Sequence, residues 1–168
     1  MKTLKLTAII ALTSTLFFAC KEETRELGPK ANQLEGISAN WTLYRVQQID
    51  VNVQLAFQES DTLLDVTETI IDPLSSLSPM EIAFSQSDSS CTVTPGQGSD
   101  LFGLSDGVWN FDNNNYPSKV IFNRGTGNER VFPLVRPVRP QDKFLVLKYN
   151  KMCGSDRTVS YHLWFVRK

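Results

Sequence analysis

From Leu34 onward, the chain consists of short runs in which apolar and polar residues alternate, separated by clusters of Gly, Asn, Asp and Pro. Alternation of this kind, with Val, Ile, Phe and Trp at many apolar positions, is typical of antiparallel strands that bury one face. We predict eight strands, at residues 40–53, 80–84, 90–95, 107–112, 119–123, 129–135, 143–151 and 157–167. The pattern therefore predicts an all-β, mainly antiparallel fold.

The first predicted strand changes face along its length. Trp41 and Leu43 fall on one face, whereas Tyr44 and Val46 fall on the other. A strand that switches its apolar face in this way needs a bend or a bulge, so we predict one near its middle.

One segment has helical periodicity instead. It begins after Ser60 or Asp61, either of which could cap a helix, and it ends before Pro73. Its apolar residues recur at spacings of three and four, at Leu63, Val66 and Ile70. We therefore predict one short helix that interrupts the series of strands.

Four acidic residues of that segment fall on one face of the predicted helix: Asp61, Asp65, Glu68 and Asp72. Calcium sites wrap oxygen ligands in a loop, and acid–base catalysis needs carboxylates at a cleft. A straight row on a helix provides neither arrangement. We interpret these residues as a solvated helix face.

Prolines mark another predicted irregularity. Pro133, Pro137 and Pro140 have no backbone N–H to donate to a neighbouring strand. We predict that the segment around them is an edge, a bulge or a strand that leaves the sheet.

The first 19 residues differ in composition from the rest. Lys2 and Lys5 precede an uncharged apolar run at residues 6–19, a pattern typical of a secretory signal peptide. The run ends in LFFAC at residues 16–20, which resembles a bacterial lipobox and implies that Cys20 is acylated. The alternative is a secreted protein without lipid, in which Cys20 is an incidental thiol.

Lys21, Glu22 and Glu23 follow that cysteine and resemble the export signal of Bacteroidota surface lipoproteins. We expect a protein anchored by lipid in the outer membrane and facing the cell exterior. The alternative is that these charges only keep a tether solvated. The predicted organisation is a signal peptide at 1–19, a lipidated tether at 20–33 and one β-domain at 34–168.

Composition narrows the functional classes. A chain of 168 residues with 41% hydrophobic and 21% charged residues is typical of one folded domain. Its formal net charge of -1 argues against nucleic acid as a partner. Cys91 and Cys153 would be exported with Cys20, so we predict one disulfide between them, with two separate thiols as the alternative.

Catalytic and metal-binding patterns are weak in this sequence. His162 is the only histidine, and there is no CxxC pair and no phosphate-binding glycine loop between a strand and a helix. We therefore expect a protein that is not an enzyme and uses neither a metal nor a cofactor.

Three aromatic motifs carry a family resemblance: EGI at 35–37 before WTL at 41–43, GVWNF at 107–111 and YHLWF at 161–165. They resemble the lipocalin-like domains of unknown function found in Bacteroidota outer-membrane lipoproteins. The resemblance covers about residues 34–168 and implies an eight-stranded meander barrel. It implies no activity.

Five aromatic residues are candidates for ligand contact: Trp41, Trp109, Trp164, Tyr116 and Phe102. Flat rings that face a groove can stack on sugars or line an apolar site, and the alternative for each tryptophan is a place in the core. Tyr116 and Phe102 fall in predicted turns or loops.

These observations favour a non-catalytic envelope lipoprotein that binds a small ligand or a glycan at the cell surface. The alternative is a fully packed barrel that docks onto another envelope protein, through loops such as 96–106 and 136–142, or that inhibits an enzyme. Fold-level analogy underlies both hypotheses.

Overall fold

The computed structural model describes residues 32–49, 63–153 and 156–168, with only the backbone described for 153 and 156–158. Residues 31–168 form one compact unit. The described helices are α1 (Gln33–Ile37), α2 (Thr67–Ile70) and α3 (Ser99–Phe102). The described strands are β1 (Asn40–Ile49), β2 (Leu63–Asp65), β3 (Glu81–Phe84), β4 (Ser90–Thr94), β5 (Gly107–Phe111), β6 (Lys119–Phe122), β7 (Arg130–Pro133), β8 (Phe144–Cys153) and β9 (Asp156–Arg167).

Eight of these strands form a meander. With β2 set aside, each strand pairs antiparallel with its neighbours in the order β7-β6-β5-β4-β3-β1-β9-β8. The two ends of this order, β7 and β8, meet at an isolated bridge between Leu134 and Leu147, which nearly closes the sheet into a barrel. The predicted all-β barrel is therefore confirmed, and the eight predicted strands correspond to β1 and β3–β9. Residues 50–53 of the first prediction lie outside the described residues.

The predicted irregularity in β1 is a β-bulge. Leu43 pairs with Phe165 and Arg45 pairs with Trp164, so Tyr44 is the extra residue between two consecutive pairs. The bulge returns Val46 to the inside, where it is buried with Trp41 and Leu43. The predicted bulge is therefore confirmed, and its extra residue places Val46 on the same face as Trp41 and Leu43, where regular alternation would not.

The helix predicted between residues 60 and 73 is largely wrong. Leu63–Asp65 is β2, which pairs with residues 47–49 of β1, and the helical part is limited to Thr67–Ile70. The pairing of β1 with β3 involves residues 40–42, so β2 supplies hydrogen-bonding partners for the far end of the long β1 strand. Tertiary strand pairing overrides the local helical periodicity here.

The predicted four-acid helix face does not exist as such. Asp65 ends β2 and Glu68 lies in α2, while Asp72 follows that helix and Asp61 lies outside the described residues. The Asp65 carboxylate accepts hydrogen bonds from the Thr67 backbone N–H and hydroxyl, which makes it part of the turn between β2 and α2.

Large side chains fill the barrel. The largest of those that are fully buried include Trp41, Trp109, Phe102, Phe122, Phe132 and Phe165. The Trp41 indole N–H donates to the Ile37 carbonyl at 2.8 Å, and the Trp109 indole N–H donates to the Ser85 carbonyl at 3.1 Å. Buried indoles need such partners, and these two tie strand residues to α1 and to the β3–β4 turn.

Candidate functional site

A cleft of about 510 Å³ opens where α3, β7 and the end of β8 meet. We call it the barrel-mouth cleft, and it is lined by residues 100–103, 129–132, 149, 150 and 152. Its volume lies within the range of roughly 300–1,000 Å³ that is usual for small-molecule sites.

The cleft exists because β7 and β8 do not pair along their full length. Val135 donates its backbone N–H to the Val146 carbonyl at 3.0 Å, beside the Leu134–Leu147 bridge. The same register would place Pro133 opposite Lys148, and proline has no N–H to donate there. The proline thus interrupts the ladder, as the sequence predicts, and the strands separate beyond it.

Aromatic rings form the base of the cleft. Phe102 packs edge-on against Tyr149 and Tyr161, with ring centroids 5.5 Å and 6.4 Å away. Phe132 stacks on Tyr149 at 5.9 Å. Phe102 is only 1% exposed, so it closes the cleft toward the core. The site is therefore apolar where it is deepest.

The rim combines exposed apolar side chains with charged ones. Val131 is 44% exposed, and Met152 is also exposed. Asp100, Glu129 and Arg130 contribute two carboxylates and one guanidinium to the lining. The Glu129 carboxylate accepts a hydrogen bond from the Gly125 backbone N–H at 2.9 Å, which fixes it on the β6–β7 turn. The excess of negative charge disfavours an anionic ligand.

The five predicted ligand-contact residues lie in different places. Trp41 and Trp109 belong to the core, and Phe102 forms the base of the barrel-mouth cleft. Tyr116 is 76% exposed, between β5 and β6. Trp164 is half-buried and donates its indole N–H to the Gln47 side-chain oxygen at 2.8 Å. The structure therefore does not bring these residues together into one site.

Trp164 also contacts Arg136 and Phe144. The Arg136 guanidinium lies 5.7 Å from the centre of its ring, and Phe144 packs edge-on against it at 6.2 Å. Phe132 and Tyr149, which line the barrel-mouth cleft, are not among the candidates predicted from the sequence. Their alternation in β7 and β8 was the available signal, but it marks any inward-facing residue.

The structure does not contain the predicted bridge between Cys91 and Cys153, because Cys91 is a free, buried thiol. Cys91 lies on β4 and Cys153 on β8, which are four places apart in the eight-strand order and hence on opposite sides of the barrel. A barrel of this size is roughly 15 Å across, whereas disulfides need Cα atoms within about 7 Å. Burial raises the pKa of the Cys91 thiol to about 12, and the nearby Asp106 adds to this effect.

The two loops predicted to dock onto a partner are both anchored to the barrel. The 96–106 loop contains α3 and buries Phe102 and Leu104. The 136–142 loop buries Val138, and its Asp142 carboxylate accepts a hydrogen bond from the Arg139 backbone N–H.

The residues predicted for lipid attachment and export, Cys20, Lys21, Glu22 and Glu23, lie outside the described residues. Among the described residues, no helix is long and apolar enough to cross a membrane. No group of three or more His, Cys, Asp or Glu side chains in these same ranges could hold a metal ion.

Comparisons with known proteins give no further assignment: no family model, no curated protein and no solved structure matches the chain.

Proposed function

We propose that this chain is a non-catalytic envelope lipoprotein, anchored through Cys20 at the cell surface, whose barrel binds a small and mainly apolar ligand in the barrel-mouth cleft. The export signal at residues 21–23 and the resemblance to lipocalin-like domains belong to the same proposal. The observation that carries the binding function is the interrupted β7–β8 ladder, which leaves an aromatic cleft at the end of a barrel that is otherwise filled.

Geometry and charge define the ligand class. Tyr149, backed by the buried rings of Phe102 and Phe132, forms the apolar base, while Val131 and Met152 offer apolar contact at the rim. The two carboxylates against one guanidinium favour a neutral or cationic polar end on the ligand. A small aromatic or branched hydrocarbon group with such an end fits both features.

The test uses the neutral fluorophore N-phenyl-1-naphthylamine and a chain of residues 21–168, which includes the whole compact unit of residues 31–168. We expect a saturable rise in fluorescence as the dye leaves water. Val131→Asp should weaken binding about tenfold, or about 1.4 kcal/mol, because it places a charge in the apolar rim.

Val108→Asp is the matched control. Val108 is 47% exposed on β5 and does not line the barrel-mouth cleft, so this change should alter the affinity less than twofold. Equal effects of the two substitutions would contradict the proposal. So would fluorescence that never saturates, and that result would favour the packed barrel that docks onto another envelope protein.

A further inference from the structure

A second groove lies on the outside of the barrel, away from the barrel-mouth cleft. We call it the outer-face groove, and it is lined by Tyr44, Arg45, Asp65, Thr67, Glu68 and Thr69, with a volume of about 610 Å³. The described lining residues of the two sites do not overlap. The groove combines one large exposed aromatic ring with carboxylates, a guanidinium and hydroxyls.

The aromatic ring of the groove lies at the bulge in β1, on the strand face opposite the buried Trp41 and Leu43. Tyr44 is the extra residue of the bulge, and its side chain is 59% exposed. Phe144 supports it from the side, with ring centroids 6.1 Å apart. Regular alternation after Leu43 directs the Tyr44 side chain outward, and the bulge marks this position as an irregular point of the sheet, a feature that is frequent next to functional sites. A ring held outward in this way can offer its face to a ligand.

The polar wall of the groove is fixed before any ligand binds. The Asp65 carboxylate accepts a hydrogen bond from the Arg45 Nε–H at 2.7 Å and others from the Thr67 hydroxyl and backbone N–H at 2.5 and 3.0 Å. The Thr67 hydroxyl oxygen also accepts a hydrogen bond from the Val46 backbone N–H at 3.0 Å. These contacts tie β2 and the start of α2 to β1.

The same contacts keep Asp65 charged. Hydrogen bonds from the Thr67 hydroxyl and backbone N–H are the largest causes that lower the pKa of the Asp65 carboxyl. Desolvation opposes them, and Arg45 lowers the pKa further by a smaller amount. The ion pair uses the Nε–H of Arg45, so the four terminal N–H groups of the guanidinium are not engaged in it. Glu68 adds a second carboxylate to the lining.

We infer that the outer-face groove binds an oligosaccharide. One face of a pyranose ring carries mainly C–H groups and stacks on an aromatic ring, while its rim carries hydroxyls that both donate and accept hydrogen bonds. Tyr44 provides the flat apolar surface, Glu68 provides acceptors, and Arg45 provides donors. An open groove with mixed polarity matches a hydrated, elongated ligand better than it matches a hydrocarbon.

The test titrates residues 21–168 with cellohexaose, xylohexaose, mannohexaose, laminarihexaose and maltohexaose. Amide shifts in ¹H–¹⁵N spectra should move at residues 44, 45 and 65–69 for at least one sugar. Tyr44→Ala should weaken that sugar's binding at least tenfold, because the stacking surface is removed. Tyr44→Phe should retain binding within about threefold, because it keeps the ring.

Tyr116→Ala is the matched control, since Tyr116 is a similarly exposed tyrosine that, despite its candidacy in the sequence, lines neither the outer-face groove nor the barrel-mouth cleft. It should leave the affinity within twofold. The inference is overturned if none of the five sugars shifts the groove residues at 10 mM, or if Tyr44→Ala weakens binding no more than Tyr116→Ala does.

Failure of this inference is distinguishable from failure of the proposed function. Tyr44→Ala should not change the affinity for N-phenyl-1-naphthylamine, and Val131→Asp should not change the affinity for the sugar, because each residue lines only one of the two sites.

Discussion

Phe102 connects the stability of the barrel to its proposed binding site. The residue lies in α3, is 1% exposed, and packs edge-on against both Tyr149 and Tyr161. Phe102→Ala removes these contacts without changing any charged or hydrogen-bonding group. The substitution therefore measures how much the packing of Phe102, between the core and the barrel-mouth cleft, contributes to the free energy of unfolding.

The expected loss can be estimated from similar substitutions. Truncation of a buried phenylalanine to alanine costs about 3–5 kcal/mol, and the cost is lower when neighbouring atoms or water can fill the cavity that the ring leaves. Because Phe102 borders an open cleft, water or neighbouring side chains can occupy part of that space. We therefore expect about 3 kcal/mol, a substantial share of the roughly 5–15 kcal/mol that stabilises a typical domain.

Urea unfolding of residues 21–168, followed by tryptophan fluorescence, measures this change. Phe102→Leu should cost less than about 1.5 kcal/mol, because it keeps most of the apolar volume. The exposed Val108→Ala should change the free energy of unfolding by less than about 0.5 kcal/mol. If Phe102→Ala costs less than about 1 kcal/mol, the packing of Phe102 against Tyr149 and Tyr161 is not a major contribution to folding.

The same variant changes the site in a predictable direction. Removal of the ring joins the vacated space to the barrel-mouth cleft, so N-phenyl-1-naphthylamine should bind more tightly to Phe102→Ala than to the parent, at temperatures where both are folded. Weaker binding in a folded variant would mean that the ring is itself a ligand contact rather than the barrier at the base.

Three further predictions concern the thiol of Cys91, the carboxyl of Asp112 and the predicted lipid anchor. Burial holds the pKa of the Cys91 thiol near 12, so this thiol should not react with Ellman's reagent in the native protein at pH 8. Cys91→Ser should therefore leave the reaction of the native protein unchanged, and in urea it should remove one reactive thiol. If Cys91→Ser removes a rapidly reacting thiol from the native protein, the prediction is wrong. For Asp112, partial desolvation opposes ionisation, but hydrogen bonds from Ser118 and from the Lys119 backbone outweigh it and bring the pKa to about 2. The stabilisation that the ionised Asp112 carboxylate provides is therefore complete above about pH 4 and is lost as the pH falls toward 2. The difference in Tm between the parent and Asp112→Asn should be constant from pH 7 to 5 and should shrink below pH 4. A difference in Tm that grows on acidification would have the wrong sign and would contradict the prediction. The contribution of the Asp112 carboxylate to the free energy of unfolding should stay below about 1 kcal/mol, because the group is solvent-exposed. Finally, Cys20→Ala in the full chain should move the protein out of the membrane fraction, and unchanged fractionation and mobility would refute lipid attachment.

The strand pattern could be predicted from the sequence because alternation is a local property that the barrel preserves. The bulge at Tyr44 was also predictable, since the apolar residues of β1 change phase there. The structure of residues 63–70 could not be predicted in this way, and the predicted helix at 60–73 was largely wrong. β2 forms by pairing with the far end of β1, and local periodicity contains no information about such a distant partner. Short α3 is missed for a related reason: Phe102 is stabilised by Tyr149 and Tyr161, which lie nearly 50 or more residues away in the chain.

The predicted disulfide illustrates a different limit. An even number of exported cysteines favours pairing in general, but the geometry of this barrel places β4 and β8 on opposite sides. Counting cysteines contains no information about which strands are neighbours. Correct strand prediction together with a meander order would have been enough to exclude the bridge.

Both candidate sites lie where the ladder of backbone hydrogen bonds is interrupted, and each interruption has a local cause in the sequence. Pro133 lacks the N–H that would extend the pairing of β7 with β8, and the barrel-mouth cleft opens beyond it. The extra residue at Tyr44 breaks the register of β1 with β9, at a position where alternation already places the tyrosine ring on the outer face. A barrel with this core and a complete β7–β8 ladder would lack the opening, because its interior is already filled by Trp41, Trp109 and their neighbours. The two irregular positions are therefore where substitution should separate binding from folding.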